Sequence, residues 1–289
     1  MGSAYEIDWA EHAARLASVA RDDRGWYAGL ATALVRPTDR VVADLGCGGG
    51  GMAVALAAAA PAAQVVAIDG DETVLAGARR NAGAAGADVR FVLADVAAGP
   101  AVLAERIGAP ADLLWASAVV HHAPDQQAVV ADLAALLAPA GRLALAEGGL
   151  RARQLPWDVG VGEPGLEVRL DAAQDRWFAG MRGALPGVLP MPYGWLEALR
   201  RAGLVGVTTR SVLIERPAPL SPADRSTVVE SLRWRVDRLR GTGLLAATDE
   251  QTWACLLDPA DQSFLGHRAD IYHLEARSVH IGHRPPDAG

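Results

Sequence analysis

The chain opens with a helical rhythm of apolar and polar positions from Asp8 to about Leu34, broken near 22-DDRG-25. After Pro37 short aliphatic runs take over: 41-VVADL-45, 65-VVAID-69, 89-VRFVLAD-95, 112-DLLWAS-117 and 142-RLALAE-147. Alanine-rich helical stretches near 51–59, 71–84, 99–107 and 125–137 separate them. Continuous aliphatic runs alternating with helices predict βαβ units and a parallel sheet covered on both faces. From 151 to 190 the rhythm fails in a segment rich in Gly, Pro, Arg and Trp, with one predicted helix at 171–185. A helix at 194–204, a strand at 205–216, helices near 222–240 and 248–257 and a final strand at 270–283 complete the reading. The two late strands, joined by a long excursion, are compatible with an antiparallel pair closing the sheet.

This pattern divides the chain into four segments: an N-terminal helical cover (1–36), a Rossmann-like core (37–150), a substrate-cover insert (151–191) and a C-terminal completion (192–289) with a helical insert near 220–268. The 289 residues are enough to bury a substantial core, and 51% hydrophobic with 21% charged residues fits a globular protein. The first sixteen residues lack the basic start and apolar stretch of a signal peptide, and no run is long enough to span a membrane, so a cytoplasmic enzyme is expected. A net charge of −7 argues against a broad nucleic-acid surface. All 27 basic residues are arginine, which excludes Schiff-base chemistry and a Walker-type phosphate lysine. Cys47 and Cys255 lack metal-ligand spacing, and no metal is expected.

The chemistry is concentrated in 41-VVADLGCGGGGMA-53. Gly46, Gly48 and Gly51 fit the G-x-G-x-x-G of dinucleotide binders, whereas Asp44 with Gly46, Gly48 and Gly50 fits the D-x-G-x-G-x-G of S-adenosylmethionine binders. An acidic residue ending the second strand, Asp69, serves ribose hydroxyls in either case. Asp44 separates the two, because its carboxylate answers an ammonium group and repels a pyrophosphate. Asp95, ending 91-FVLAD-95, can accept from an adenine amino group, with the Val96 amide beside it.

With 44-DLGCGGG-50, 68-IDGD-71, 92-VLAD-95, 112-DLLWASAVVHHAPD-125 and 136-LLAPAGRLALAE-147, the sequence resembles the class I S-adenosylmethionine-dependent methyltransferases. The resemblance covers residues 26–147 strongly and 192–216 more loosely. It implies a three-layer αβα sandwich, with a seven-stranded, mostly parallel sheet whose last strand is antiparallel. It also implies S-adenosylmethionine as cofactor, bound across the C-terminal strand ends, and S-adenosylhomocysteine as product. Matched by position, Asp44, Gly46, Cys47 and Gly48 lie at the methionine portion, and Asp69 and Gly70 at the ribose and adenine. Asp95 and Val96 bracket the adenine, Trp115, Ala116 and Ser117 line the cofactor, and Tyr27 closes over it.

Candidate bases are His121 and His122, directly after the fourth strand, since imidazole titrates near neutral pH. Glu147 and Tyr193 are further catalytic candidates. Eight of the chain's fifteen aromatic residues are tryptophan. Trp26, Trp157, Trp177 and Trp195, with Arg169, are the candidate substrate contacts, for which core packing or a solvated surface is the competing role. The expected reaction is in-line methyl transfer to a small aromatic acceptor, with an indole-containing compound such as a tryptophan-derived cyclic dipeptide as the specific candidate. An NAD-dependent oxidoreductase using the same loop, methyl transfer to a protein or peptide, and a degenerate fold used for binding stay open. So does a homodimer.

Overall fold

The computed structural model describes residues 8–287. The first seven positions of the predicted N-terminal cover and the last two of the predicted C-terminal segment lie outside the described residues. Helices α1 (Trp9–Asp22) and α2 (Arg24–Leu34) precede β1 (Val41–Leu45), α3 (Gly51–Ala59), β2 (Gln64–Asp69) and α4 (Glu72–Ala85). Then come β3 (Arg90–Leu93), α5 (Pro100–Ile107), β4 (Ala111–Ser117), a 3-10 turn at Val120–His122, α6 (Gln126–Ala135) and β5 (Leu137–Arg153). The remainder is α7 (Leu166–Ala184), α8 (Trp195–Arg201), β6 (Val205–Arg216), α9 (Pro222–Asp237), α10 (Ala247–Leu257) and β7 (His273–His283).

One seven-stranded sheet runs in the order β3-β2-β1-β4-β5-β7-β6. Strands β1 to β5 pair in parallel, with Asp44 level with Ala67 on β2 and Trp115 on β4. Strand β7 is antiparallel to both neighbours: Gly149 and Gly141 of β5 meet Ala276 and Arg284, while Gly206 and Thr209 of β6 meet His283 and His280. The chain leaves β1 toward β2 and β3 and then returns to β4 on the other side. The C-terminal ends of β1 and β4 therefore flank the crevice where open α/β sheets bind ligands.

Period-two side-chain alternation gives the central strands β1, β2, β4 and the middle of β5 two buried faces. Ala43, Leu45, Val66, Ile68, Leu114 and Leu145 face a core shared with Leu103 and Ile107 of α5 and Leu133 of α6. Val42, Val65, Leu113, Trp115 and Ala144 face another, shared with Leu30 and Leu34 of α2 and Leu56 of α3. Helix starts follow local chemistry. Asp71 caps α4 by accepting from the Thr73 and Val74 amides, and Asp125 caps α6 through the Ala128 amide.

Three predicted boundaries shift by five residues or more. Strand β5 starts at Leu137, ahead of the predicted 142, and continues six residues beyond Glu147 to Arg153, because β7 pairs with a stretch that has no apolar run of its own. Helix α7 starts at Leu166, ahead of the predicted 171, since Leu166 and Leu170 sit one turn apart on its buried face.

The chain divides into two compact units. Among the described residues, one holds 8–148, 187–210 and 278–287; the other holds 149–186 and 211–277. In the first, buried Arg142 of β5 donates to Asp39 Oδ1 at 3.0 Å and Oδ2 at 2.5 Å, to the Asp112 carbonyl at 2.9 Å and to the Leu34 carbonyl. Burial alone would raise the Asp39 pKa, but the Arg142 hydrogen bonds and charge, with the Arg36 amide, hold it below the ordinary value. Asp112 Oδ2 accepts from the Arg40 and Val41 amides, which fixes where β1 begins beside β4. In the second unit Arg235 of α9 is buried against Glu167 and Asp171 of α7, and Glu167 accepts the Gln154 and Leu155 amides.

Removing one partner of a buried pair strands the other charge. Asp39→Ala should therefore lower unfolding stability by about 3–5 kcal/mol in chemical denaturation, whereas Arg40→Ala, at an exposed position, should shift it by about 0.5 kcal/mol or less.

Candidate active site

The loop after β1 is shaped by four neighbours. Gly46 and Gly48 have φ of +65° and +52°, a region that L side chains rarely adopt. A Cβ on Gly46 would lie 2.3 Å from Val119 Cγ2, one on Gly49 2.2 Å from the Leu16 carbonyl of α1, and one on Gly51 2.7 Å from the Tyr27 ring. Asn81 of α4 donates to both the Ala17 carbonyl and the Gly49 carbonyl, fastening α1 to the loop. No motif pointed to Asn81; it lies unmarked in an amphipathic helix.

Under the loop lies Asp44, 2% exposed, with Oδ2 lacking a hydrogen-bond partner among the described residues. Burial, reinforced by the Asp69 charge and opposed by the Ala53 amide, pushes its pKa up to about 7. Asp69 is also raised, chiefly by burial, while the Gly48 amide at 2.9 Å and the Asp71 amide at 3.2 Å oppose the shift. The Cys47 thiol is pushed well above its ordinary value by burial and then by these two carboxylates. A Cβ on Gly70 would sit at ordinary contact distance, 3.9 Å from Asp95 Cα. Asp95 is exposed, accepts the Ala97 amide at 2.8 Å and is followed by half-buried Val96.

Where the buried stretch of β5 ends, Glu147 is 2% exposed. Its Oε1 accepts the Val119 and Val120 amides at 2.9 and 2.8 Å, and its Oε2 lies 2.6 Å from His121 Nδ1. A carboxylate already accepting two amides is an acceptor toward the imidazole, so the network assigns the proton to Nδ1 and leaves Nε2 as the basic nitrogen. The turn carrying His121 begins at Ala118, whose φ of +54° is strained for alanine. His122 lies against His121 with centroids 4.1 Å apart and rings tilted by 45°, and meets Trp9 edge to face at 5.3 Å. Trp9 is 39% exposed.

The structure thus brings together Asp44, Gly46, Cys47, Gly48 and Asp69 around one loop, and His121, His122 and Glu147 just past β4 and at the last buried position of β5. Ser117 is half-buried at the end of β4, while Ala116 and Trp115 are buried, the Trp115 ring 6.1 Å from Trp26 in the α2–α3 core. Tyr27 packs on Gly51 and on Trp26, and Trp195 packs against the other core. Tyr193 donates its hydroxyl to Gln127 at 3.1 Å beneath the Arg201 guanidinium, so its polar end is committed to α6.

Three of the expected substrate contacts belong to the second compact unit. Trp177 is buried there under Arg238. Arg169 makes a bidentate pair with Asp249 at 2.8 and 2.9 Å and donates to the Glu163 and Pro164 carbonyls, which commits four of the five N–H donors of a guanidinium inside this unit. Trp157 is 69% exposed, with Gly165 against its ring.

A family model described as a methyltransferase domain matches residues 42–141. A trans-aconitate 2-methyltransferase of Variovorax paradoxus is 40% identical over 209 residues, covering 72% of this chain and 70% of that protein. The chain belongs to the class I S-adenosylmethionine-dependent methyltransferases. A release factor glutamine methyltransferase of Deinococcus radiodurans is 31% identical to this methyltransferase over 62% of the chain and 72% of the relative. Among solved structures, a candidate methyltransferase of Bacillus halodurans gives a TM-score of 0.50 at 16% identity, covering 91% of this chain and 99% of that one. A candidate O-methyltransferase of Nostoc punctiforme gives 0.51 at 14% identity, over 96% and 60%. At these identities the two structures speak to the fold alone. No helix among the described residues is long and apolar enough to cross a membrane.

Asp44 gives the ligand-free methyltransferase a signed pH dependence. A carboxyl raised to about 7 in the folded protein favours folding fully below the ordinary pKa near 4, and that contribution is lost as pH rises toward 7. Asp44→Asn should therefore lose less stability than the parent between pH 4 and 7, as thermal unfolding without ligand would measure.

Proposed function

We propose that this enzyme methylates a small aromatic acceptor carrying an N–H, O–H or acidic C–H, with His121 as the base and Glu147 as its orienting carboxylate. An indole-containing natural-product intermediate, such as a tryptophan-derived cyclic dipeptide, is the specific candidate. The observation that carries this reading is the 2.6 Å contact between His121 Nδ1 and Glu147 Oε2, at the last buried position of β5.

The donor fits the residues around the glycine loop. The unpartnered Oδ2 of Asp44 suits an ammonium group, since pairing with a cation relieves the burial that raises its pKa. In this reading Gly46, Cys47 and Gly48 lie along the methionine portion. Asp69 and Gly70 take the ribose, Asp95 and Val96 take the adenine, and Ala116 and Ser117 approach from β4. The bound donor supplies a sulfonium methyl open to in-line attack.

The chain's own groups orient the acceptor, exclude water and remove its proton. Glu147 fixes the imidazole by occupying Nδ1, so the acceptor's proton passes to Nε2, and the carboxylate steadies the imidazolium that forms. The exposed edge of Trp9 beside His122 supports a flat acceptor next to the base. His122 then serves as a wall beside the acceptor, packed at a tilt against the catalytic ring.

A second reading has a specific basis. Two further relatives named trans-aconitate 2-methyltransferase, from Methylobacterium radiotolerans and Paracidovorax citrulli, are 37% and 35% identical over about half of their lengths. A carboxylate acceptor is already ionised and needs no base.

His121→Gln separates the readings. With labelled donor and a panel of indoles, phenols, amines and trans-aconitate, the substitution should cut turnover on the true acceptor by about 100-fold or more. Its S-adenosylhomocysteine affinity, read by calorimetry, should stay within about threefold. Label entering trans-aconitate alone, at a rate unchanged by His121→Gln, would reject the proposal. Asp44→Asn should weaken S-adenosylhomocysteine binding by about tenfold or more, through loss of a buried ionic partner.

A further inference from the structure

We infer that His280, on β7, is a positioning residue that holds the Glu147–His121 pair in register, with Thr209 of β6 as its anchor. His280 Nε2 lies 3.2 Å from the Glu147 backbone carbonyl, and its Nδ1 lies 2.8 Å from Thr209 Oγ1. A carbonyl oxygen only accepts, so Nε2 carries the hydrogen and donates to Glu147. In the neutral ring Nδ1 is then the acceptor, and the Thr209 hydroxyl donates to it. Burial lowers the His280 pKa, against the opposing Glu147 carbonyl and charge, which keeps the ring in this neutral form.

The result is a line of side chains running across three adjacent strands. Thr209 holds His280, His280 holds the Glu147 backbone, and the Glu147 carboxylate holds His121.

The place matters because two glycines come directly after Glu147. Gly148 and Gly149 have φ of +74° and +120°, so the backbone immediately after the carboxylate lacks the stiffness of an ordinary strand. The Glu147 side chain meanwhile carries three bonds, to two amides and to an imidazole, each demanding a fixed Cα position. The His280 bond supplies a restraint at the carbonyl of that same residue, on the side of the chain where glycine removes one. This inference rests on the reading of His121 and Glu147 as the base pair.

The consequence is legible without knowing the acceptor, through the imidazole tautomer. Nitrogen NMR of the 15N-histidine-labelled protein with S-adenosylhomocysteine, at alkaline pH where imidazoles are neutral, reports which ring nitrogen of His121 carries the proton. The signal is assigned by its disappearance in His121→Gln. In the parent the Nδ1–H form should dominate, and Glu147→Gln should abolish that dominance. His280→Leu should reduce the Nδ1–H to Nε2–H ratio by about three- to tenfold, the change one net hydrogen bond supports. Thr209→Val, which leaves the imidazole in place, should shift it in the same direction by less, and His280→Gln, which keeps a donor, should restore much of it. His280→Leu should add nothing in the Glu147→Gln background.

An unchanged tautomer in both His280→Leu and Thr209→Val overturns the inference while leaving the base pair intact. An equal shift from His280→Leu with and without Glu147 also overturns it. An unchanged tautomer in Glu147→Gln overturns the base-pair reading itself, and the inference with it.

Discussion

The buried guanidinium of Arg142 joins the Leu34 carbonyl at the end of α2, the Asp39 carboxylate before β1 and the Asp112 carbonyl of β4. It thereby sets three segments side by side where they enter the sheet. Because strand rise and alternation are regular, a register set at one edge determines what meets at the other. Asp44 comes level with Trp115, and Trp115 with Ala144, so the carboxylate of β1 and the residues ending β4 and β5 arrive together. Slipping any of these strands by one residue would turn Asp44 or Glu147 to the opposite face. The ion pair is remote from the candidate chemistry, and the alignment of that chemistry depends on it.

Two kinds of electrostatic environment occur at the far edge. Asp44 is buried with an oxygen left over, and its charge is held back by burial. Glu147 is equally buried, yet both oxygens are engaged by amides and an imidazole. The first arrangement suits a cationic ligand that arrives and leaves; the second suits a fixed device that orients a ring. The same kind of side chain, a buried strand carboxylate, thus sits in two different electrostatic surroundings because the neighbouring donors differ in number.

The buried strands were the most legible part of the fold, since 41-VVADL-45, 65-VVAID-69 and 112-DLLWAS-117 are apolar on both faces and carry their signal locally. The extension of β5 through 148-GGLRAR-153 was hidden, because its pairing with β7 depends on residues far along the chain. The glycine run matched two fingerprints because its members answer to Leu16, Tyr27, Ala78 and Val119 as well as to any ligand. Asp44 was decisive since its position in β1 alone implies a buried charge. Glu147 and His121 were each recognisable as candidates, but their contact spans 26 residues and emerges only when β4 and β5 align. Counting tryptophans said little about which way they face: Trp115 and Trp177 serve cores, while Trp9 and Trp157 present their rings outward. His280 had no motif around it and acquires meaning only from its two neighbouring strands.

Cys47 sits in the middle of the loop proposed to hold the methyl donor, where a thiolate would be the strongest nucleophile within reach. Burial and the adjacent Asp44 and Asp69 carboxylates keep its sulfur protonated. Burial and the neighbouring charge thus hold this thiol in its less nucleophilic form, so Cys47 enters the loop as a small apolar side chain rather than as a reactive one.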